Sequence, residues 1–174
     1  EGRHKKQSGG RGQFGVASVR IEPLPRGTGF VFESAVVGGA IPTKFIPSVE
    51  KGVLEAMASG GVHGYPVVDV KAVVYDGKFH AVDSDEMSFK TAGRAAFGAA
   101  IRDGEPVILE PISRLTVTVP MTSQGDIMGD LNARRGRVQG TEMSGDHEQT
   151  IVALVPTAEI LRYAIDLRSM TGGR

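Results

Sequence analysis

The sequence predicts an α+β fold made of two α/β sandwich domains, residues 1–110 and 111–174. Segments with strand-like alternation of apolar residues and segments with helix-like spacing follow one another along the chain. Pro106 and Pro111 bracket a short stretch, after which a new series of elements begins. Because the predicted strands have one apolar and one polar side, each domain should place its helices on one face of a mainly antiparallel sheet.

The composition limits the class of protein. The chain has 174 residues, 20 basic and 20 acidic side chains and no cysteine, which excludes disulfides, thiolate metal sites and a cysteine nucleophile. No apolar run is long enough to cross a membrane, so we expect a cytoplasmic protein with no membrane partner. A net charge of zero means that any nucleic-acid-binding surface must be local. Since the chain begins at Glu1, we also expect it to be a piece of a longer protein.

The first domain opens with a polar, glycine-rich segment, residues 1–13, that carries a formal charge of +3. Strict alternation then predicts a strand from Gln13 to Leu24. The turn residues Pro25 to Gly29 lead to a second strand, Phe30 to Val37, and the two strands are predicted to form a hairpin.

Further elements of this domain follow from spacing and capping signals. They are a helix from Pro47 to Gly60, a strand from Val68 to a turn at Asp76–Gly77, a helix capped by Asp83 with Glu86 completing a capping box, and a short strand at Val107–Leu109. Alanine and glycine dominate the inner stripe of the second helix, so that helix should pack closely.

The second domain has the predicted order β-α-β-β-α. The elements are a strand around Leu115 to Val119, a short helix over Ile127 to Leu131, strands at Val138–Met143 and Gln149–Val155, and a helix from about Thr157 with an inner stripe of Ile160, Leu161, Ala164 and Ile165. A ferredoxin-like split βαβ needs one more strand, so we expect a truncated ferredoxin-like domain.

One glycine-rich motif suggests chemistry. Gly10 to Gly15 matches G-x-G-x-x-G, but a dinucleotide site needs a strand before the motif and a helix after it. Here a coil is predicted before it and a strand after it, which argues against a nucleotide site. The chain also has no P-loop motif. A solvated, mobile terminus and a loop whose Lys5, Lys6 and Arg11 pair with phosphates both remain open.

Two other groups of polar residues have ordinary structural explanations. His80 stands near Asp83, Asp85 and Glu86, but acids are favoured in a first helical turn, and we expect no metal. Arg134 and Arg135 lie at a predicted helix C-terminus, where cations are favourable, although contact with RNA phosphate is the alternative. No catalytic residue is predicted.

Seven motifs together resemble the C-terminal part of bacterial translation elongation factor G, in register over nearly the whole chain. They are Ser8–Gly15 (SGGRGQFG), Val37–Pro42 (VGGAIP), Ile46–Gly52 (IPSVEKG), Gly64–Asp69 (GYPVVD), Tyr75–Gly77 with His80 and Val82–Ser84, Gly129–Gly136 (GDLNARRG) and Tyr163–Ser169 (YAIDLRS). Residues 1–110 resemble the family's fourth domain and 111–174 its fifth.

The resemblance implies a fold and a function. The fourth domain would have a ribosomal protein S5 domain 2-like fold with a left-handed βαβ crossover, and the fifth a ferredoxin-like fold lacking its last strand. The parent would be a GTPase that uses GTP and Mg²⁺ in N-terminal domains of the same chain and drives translocation. Its partners would be the rRNA of both ribosomal subunits and the A-site tRNA–mRNA duplex. The contacting tip falls on Lys5, Lys6, Gly10, Arg11, Gly12, Gln13 and His80.

Three alternatives remain at this point. Residues His4–Ser8 and Leu161–Asp166 look closer to a paralogous elongation-factor-G-like group, which would act in ribosome recycling or another accessory role. A metabolic enzyme that binds a nucleotide through the glycine-rich loop is opposed by the absent P-loop. A module that binds only protein is opposed by the basic, aromatic-poor loop.

Overall fold

The computed structural model describes residues 1–173, which form two compact units, Glu1–Ile108 (unit 1) and the residues from Leu109 onward (unit 2). Each unit has one sheet covered on one face by two helices. The predicted α+β class with mainly antiparallel sheets is confirmed.

Unit 1 contains a four-stranded sheet and two helices. Their bounds are β1 Gly2–Lys6, β2 Gln13–Pro23, β3 Phe30–Ser34, α1 Ile46–Ser59, β4 Val70–Lys78 and α2 Glu86–Asp103. The strand order is β1-β2-β4-β3. Strands β1, β2 and β4 pair antiparallel, whereas β3 runs parallel to β4 and is joined to it through α1.

The core of unit 1 lies between the sheet and its helices. Helix α2 buries the predicted inner stripe, including Phe89, Ala92, Ala96 and Phe97. The two helices approach each other closely at Gly93, where an added Cβ would lie 2.6 Å from the carbonyl oxygen of Val49. Small residues at this crossing therefore let the helix backbones come together.

Several expectations for unit 1 are wrong in detail. The opening segment is not a coil, since Gly2–Lys6 forms an edge strand. The predicted hairpin of β2 with β3 does not exist, because β4 lies between them. Gly77 is buried within β4 and is not a turn residue. The predicted strand at Val107–Leu109 is absent, and these three residues are exposed coil.

The cap of α2 is also different from the prediction. Asp85, and not Asp83, is the N-cap, and its side chain accepts the backbone N–H of Ser88 at 2.7 Å. Both aspartates have acceptable spacing from the helix, but the carboxylate of Asp83 contacts a loop at the end of the sheet instead.

Unit 2 contains a three-stranded antiparallel sheet and two helices. Their bounds are β5 Ile112–Pro120, α3 Gln124–Ala133, β6 Arg137–Met143, β7 Glu148–Pro156 and α4 Tyr163–Thr171, with a 3₁₀ turn at Thr157–Ile160. The sheet order β5-β7-β6 is that of a split βαβ without a fourth strand, and β5 lies at one edge.

The predicted β-α-β-β-α order of unit 2 is confirmed, but the inner stripe of its last helix is not. Leu161 and Ile165 are exposed, whereas Tyr163 is buried in the core. The 3₁₀ turn before α4 shifts the phase of the helix, and the aromatic ring takes the buried position.

Candidate functional site: two loops at one end of unit 1

Two loops meet at one end of unit 1. The glycine loop, residues 7–12, joins β1 to β2, and the histidine loop, residues 79–85, joins β4 to α2. Both leave the same end of the sheet, because the last residue of β4, Lys78, pairs with Val16 near the start of β2. The predicted tip residues are therefore carried by two adjacent loops and by the strand ends beside them.

Asp83 joins the two loops through its carboxylate. Its Oδ1 accepts the backbone N–H of Gly12 at 3.1 Å, and its Oδ2 lies at 3.5 Å from the side-chain amide of Gln7. The Asp83 side chain is only 15% exposed. A Cβ at Gly12 would lie 2.8 Å from the carboxylate carbon, so a side chain at this position would displace the Asp83 carboxylate where the loops touch.

A second set of hydrogen bonds ties the histidine loop to the start of β2. The backbone N–H of Phe14 donates to the carbonyl oxygen of Asp83 at 2.9 Å. The hydroxyl of Ser84 donates to the carbonyl oxygen of Phe14 at 2.7 Å and accepts the N–H of His80 at 2.8 Å. These bonds give the two loops one fixed relative position.

His80 is half-exposed, and the loop orients its ring. The ring nitrogen Nδ1 accepts the backbone N–H of Asp83 at 3.1 Å and that of Val82 at 3.3 Å. The ring also packs edge-on against Phe14, with centroids 6.4 Å apart. A nitrogen that accepts two N–H groups carries no proton, so the neutral ring holds its proton on Nε2. Asp83 Oδ2, 3.5 Å from Nδ1, is therefore not an ion-pair partner in this state.

Gln13 is half-buried at the start of β2, and its side-chain oxygen lies 2.7 Å from Nε2 of His4. Because side chains alternate along a strand, Gln13 lies on the helix-facing side of the sheet and Phe14 on the opposite side. Gln13 and the His80 ring, which contacts Phe14, therefore flank the end of β2.

The cations of the tip lie on both faces of β1. Lys5 and Lys6 are neighbours in an exposed edge strand, so their side chains leave the sheet on opposite faces. Arg11 is exposed in the glycine loop, next to Gly9 and Gly10, which adopt left-handed backbone φ angles of +61° and +94°. Among residues 1–173, no acid forms an ion pair with Lys5, Lys6 or Arg11.

Asp85, the other acid of the histidine loop, also accepts an internal hydrogen bond. Ser88, whose backbone N–H donates to the carboxylate, holds the pKa of Asp85 below its usual range, with a smaller effect of the positive Arg11. Asp85 is therefore ionised at neutral pH and caps α2. Both aspartates of the histidine loop are thus engaged in internal hydrogen bonds.

The arginines predicted in unit 2 stabilise that unit. Arg134 donates to Asp130 at 2.8 Å, to Asp166 at 2.9 Å and to the carbonyl oxygen of Glu159 at 2.8 Å. Arg135 binds the carboxylate of Glu110 through two nitrogens, at 2.8 and 2.7 Å, and also contacts Glu159. Their donors are directed to internal partners, which favours the structural explanation over a phosphate contact.

Three residues of the tip have contacts that the sequence does not predict. Asp83 is predicted only as a helix cap, Ser84 appears only in a family motif, and no contact of His4 with Gln13 is predicted. The alternation of β1 places His4 on the same face as Gln13, but only once that strand is recognised. A sequence signal for the role of Asp83 does exist: one loop has a glycine at position 12, and the loop that meets it has two aspartates, either of which could accept the backbone N–H of that glycine.

Comparison with known proteins identifies the family. Residues 1–105 match the family described as "Elongation factor G, domain IV", and residues 107–174 match "Elongation factor G C-terminus". A crystal structure of a protein from Thermus thermophilus is similar to this chain, with a TM-score of 0.85 and 43% identity over 99% of this chain. The chain spans about a quarter, 26%, of that protein's length.

The described helices include none that is long and apolar enough to cross a membrane.

The match to domain IV of elongation factor G lies in unit 1, which carries the two-loop tip, and the match to the C-terminal family covers unit 2. The two matches together cover nearly all of the sequence, and the chain belongs to the elongation factor G family of translation factors.

Proposed function

We propose that the chain is the C-terminal part of an elongation-factor-G-type GTPase and that the tip of unit 1 contacts the A-site tRNA–mRNA duplex during GTP-dependent translocation. The observation that carries this proposal is the joining of the two loops by Asp83, which holds Gln13, His80 and the cations at one end of the domain. The role of the tip is positional, since nothing in it is arranged as a nucleophile with a base.

The chemistry of the tip suits an RNA duplex. The amide of Gln13 and the ring of His80 can form hydrogen bonds to base edges and 2′-hydroxyls in the wide, shallow minor groove. Lys5, Lys6 and Arg11 supply a salt-sensitive attraction to phosphates. The cations lie on both faces of the edge strand, which allows contact with the duplex and with rRNA of the decoding region.

The remaining partners follow from the family. We propose that N-terminal domains of the same protein bind GTP with Mg²⁺, because no P-loop motif occurs in this chain. Unit 2 would lie near the factor-binding rRNA of the large subunit. The protein would act in the cytoplasm, where ribosomes work.

Site-directed crosslinking tests the position of the tip. Ser8 is an exposed residue of the glycine loop, and the chain has no cysteine of its own. A Ser8→Cys variant of the full-length factor, carrying a short thiol-linked photocrosslinker, should label the A-site tRNA, the mRNA or the decoding-region rRNA. The matched control is Arg26→Cys, which lies at an exposed turn after the other end of β2.

Labelling from position 8 that is restricted to protein, or equal RNA labelling from positions 8 and 26, would contradict the proposal. The factor without an introduced cysteine gives the background. Crosslinks from position 8 in ribosomes that do not translocate with this factor would instead favour the accessory or recycling role of a paralogue.

A further inference from the structure

The hydrogen bond between His4 and Gln13 has a defined direction. The nearer atom of Gln13 is its side-chain oxygen Oε1, 2.7 Å from Nε2 of His4. An amide oxygen only accepts hydrogen bonds, so Nε2 of His4 must carry the proton and donate it. The amide of Gln13 is thereby turned with its oxygen toward His4 and its NH₂ group away from it.

Strand pairing makes this contact possible. In the β1–β2 hairpin, His4 pairs with Gly15 and Lys6 pairs with Gln13, so His4 is the diagonal neighbour of Gln13 on the same face. A long side chain reaches such a diagonal neighbour. Both residues lie in paired strands and not in the loop between them, which gives the amide a rigid support.

The ring of His80 also has its acceptor atom bound internally, but by different partners. Its Nδ1 is occupied by the N–H groups of Val82 and Asp83, and its proton is on Nε2. The side chains of Gln13 and His80 therefore both present hydrogen-bond donors. In each, the accepting atom is bound internally and an N–H group remains for a ligand.

We propose that His4 is a positioning residue that fixes the amide of Gln13, so that the tip presents hydrogen-bond donors and reads only acceptors. This inference rests on the proposed function and specifies its chemistry. Every base pair offers acceptors in the minor groove, at purine N3 and pyrimidine O2, whatever its sequence; only G·C pairs add a donor there. A donor-only tip can therefore bind any codon–anticodon duplex without preferring one.

The first test is made on the chain alone, by nitrogen-15 NMR at a pH at which the ring chemical shifts themselves show both histidines to be neutral. We expect both His4 and His80 to show the tautomer with the proton on Nε2. An Nδ1–H tautomer at His4 would remove the donor that faces Gln13 and would overturn the inference, whatever the function of the protein.

The second test is a double-mutant cycle in single-round translocation by the full-length factor. His4→Phe keeps an aromatic ring and removes the donor, and we expect it to slow translocation about fivefold, the factor that corresponds to about 1 kcal/mol. In a Gln13→Ala background the same substitution should have no further effect. His4→Gln, whose Nε2 can occupy the place of the ring Nε2, should restore most of the rate.

The outcomes separate the two proposals. If Gln13→Ala leaves the rate unchanged, the proposed function of the tip fails, and this inference fails with it. If Gln13→Ala slows translocation but His4→Phe does not, or if the two effects add, only the positioning role of His4 fails. His63→Phe is the matched control, because His63 is exposed in the loop after α1, and it should be silent.

Discussion

The carboxylate of Asp83 accepts the backbone N–H of Gly12 at 3.1 Å, although the two residues are 71 positions apart in the sequence. This bond joins the glycine loop to the histidine loop. A side chain at position 12 would disturb this bond, since a Cβ there would meet the carboxylate. The geometry of the tip thus depends on a residue whose own side chain is largely buried.

Removing that bond should destabilise unit 1. In Asp83→Ala, the N–H of Gly12 loses a charged acceptor in a largely buried position, and we expect the free energy of unfolding to fall by about 1–3 kcal/mol. Urea denaturation measures the change. Asp146→Ala, in the exposed turn between β6 and β7, is the control and should shift stability by less than about 0.5 kcal/mol. Equal stabilities of the two variants would show that Asp83 does not hold the loops together.

Two glycines of α2 give a matched pair for helix packing. Gly93→Ala would place a methyl group 2.6 Å from the carbonyl oxygen of Val49, and we expect it to cost about 1–3 kcal/mol. Gly98→Ala meets nothing closer than 3.8 Å and should stabilise the helix by about 0.5–1 kcal/mol. Thermal unfolding followed by circular dichroism distinguishes the two. A stabilising Gly93→Ala would mean that the helices do not cross as closely as described.

The cap of α2 should make stability depend on pH. The folded-state pKa of Asp85 is depressed, first by Ser88, so its carboxylate contributes stability above its unfolded pKa of about 3.9. That contribution is lost as the pH falls through the lower folded-state value. Asp85→Asn keeps a capping oxygen but cannot ionise. The stability difference between wild type and Asp85→Asn should therefore be present at pH 6 and shrink below about pH 4.

A difference that is constant between pH 7 and pH 3, measured by denaturant unfolding at each pH, would contradict this assignment of the cap. Asp83→Asn serves as a comparison. It tests whether the pH dependence belongs to Asp85 or to the neighbouring aspartate.

We expect that lysine cannot replace Arg134 without a loss of stability in unit 2. Its guanidinium reaches Asp130, Asp166 and the carbonyl of Glu159, and it lies 5.1 Å from the ring centre of the buried Tyr163. A lysine ammonium is a point charge that cannot match these directions at once. We expect Arg134→Lys to lower the unfolding free energy of unit 2 by about 1–3 kcal/mol. Arg137→Lys, at an exposed position of β6, should be neutral, and a similar loss in both variants would refute the network.

Much of the fold could be predicted because the core positions alternate or recur with helical spacing. The strands β2, β4, β5 and β7 and the helices α1 and α2 all bury apolar residues in such patterns. The edge strand β1 has no large apolar residue, since Gly2 packs against α2 and the others are polar. Hydrophobic periodicity therefore could not reveal it.

Other differences come from long-range pairing. The turn residues from Pro25 to Gly29 favour a hairpin locally, but β4 pairs with both β2 and β3 and separates them. Local sequence carries no information on which strand lies between two others. In the same way, the capping-box pattern favours Asp83, but the Asp83 carboxylate accepts the N–H of Gly12 and Asp85 caps the helix instead. The tip residues themselves are identified through the family resemblance and not through periodicity.

Single-round translocation with a His80→Ala variant tests whether the tip acts on the tRNA–mRNA duplex, as we propose. Loss of one hydrogen bond in the transition state, at about 1–2 kcal/mol, predicts translocation about tenfold slower while GTP hydrolysis by the full-length factor is nearly unchanged. His63→Ala, an exposed histidine outside the tip, should leave both rates unchanged. Translocation at the wild-type rate in an active His80→Ala factor would contradict the proposed role of the tip and would favour an accessory role for the protein.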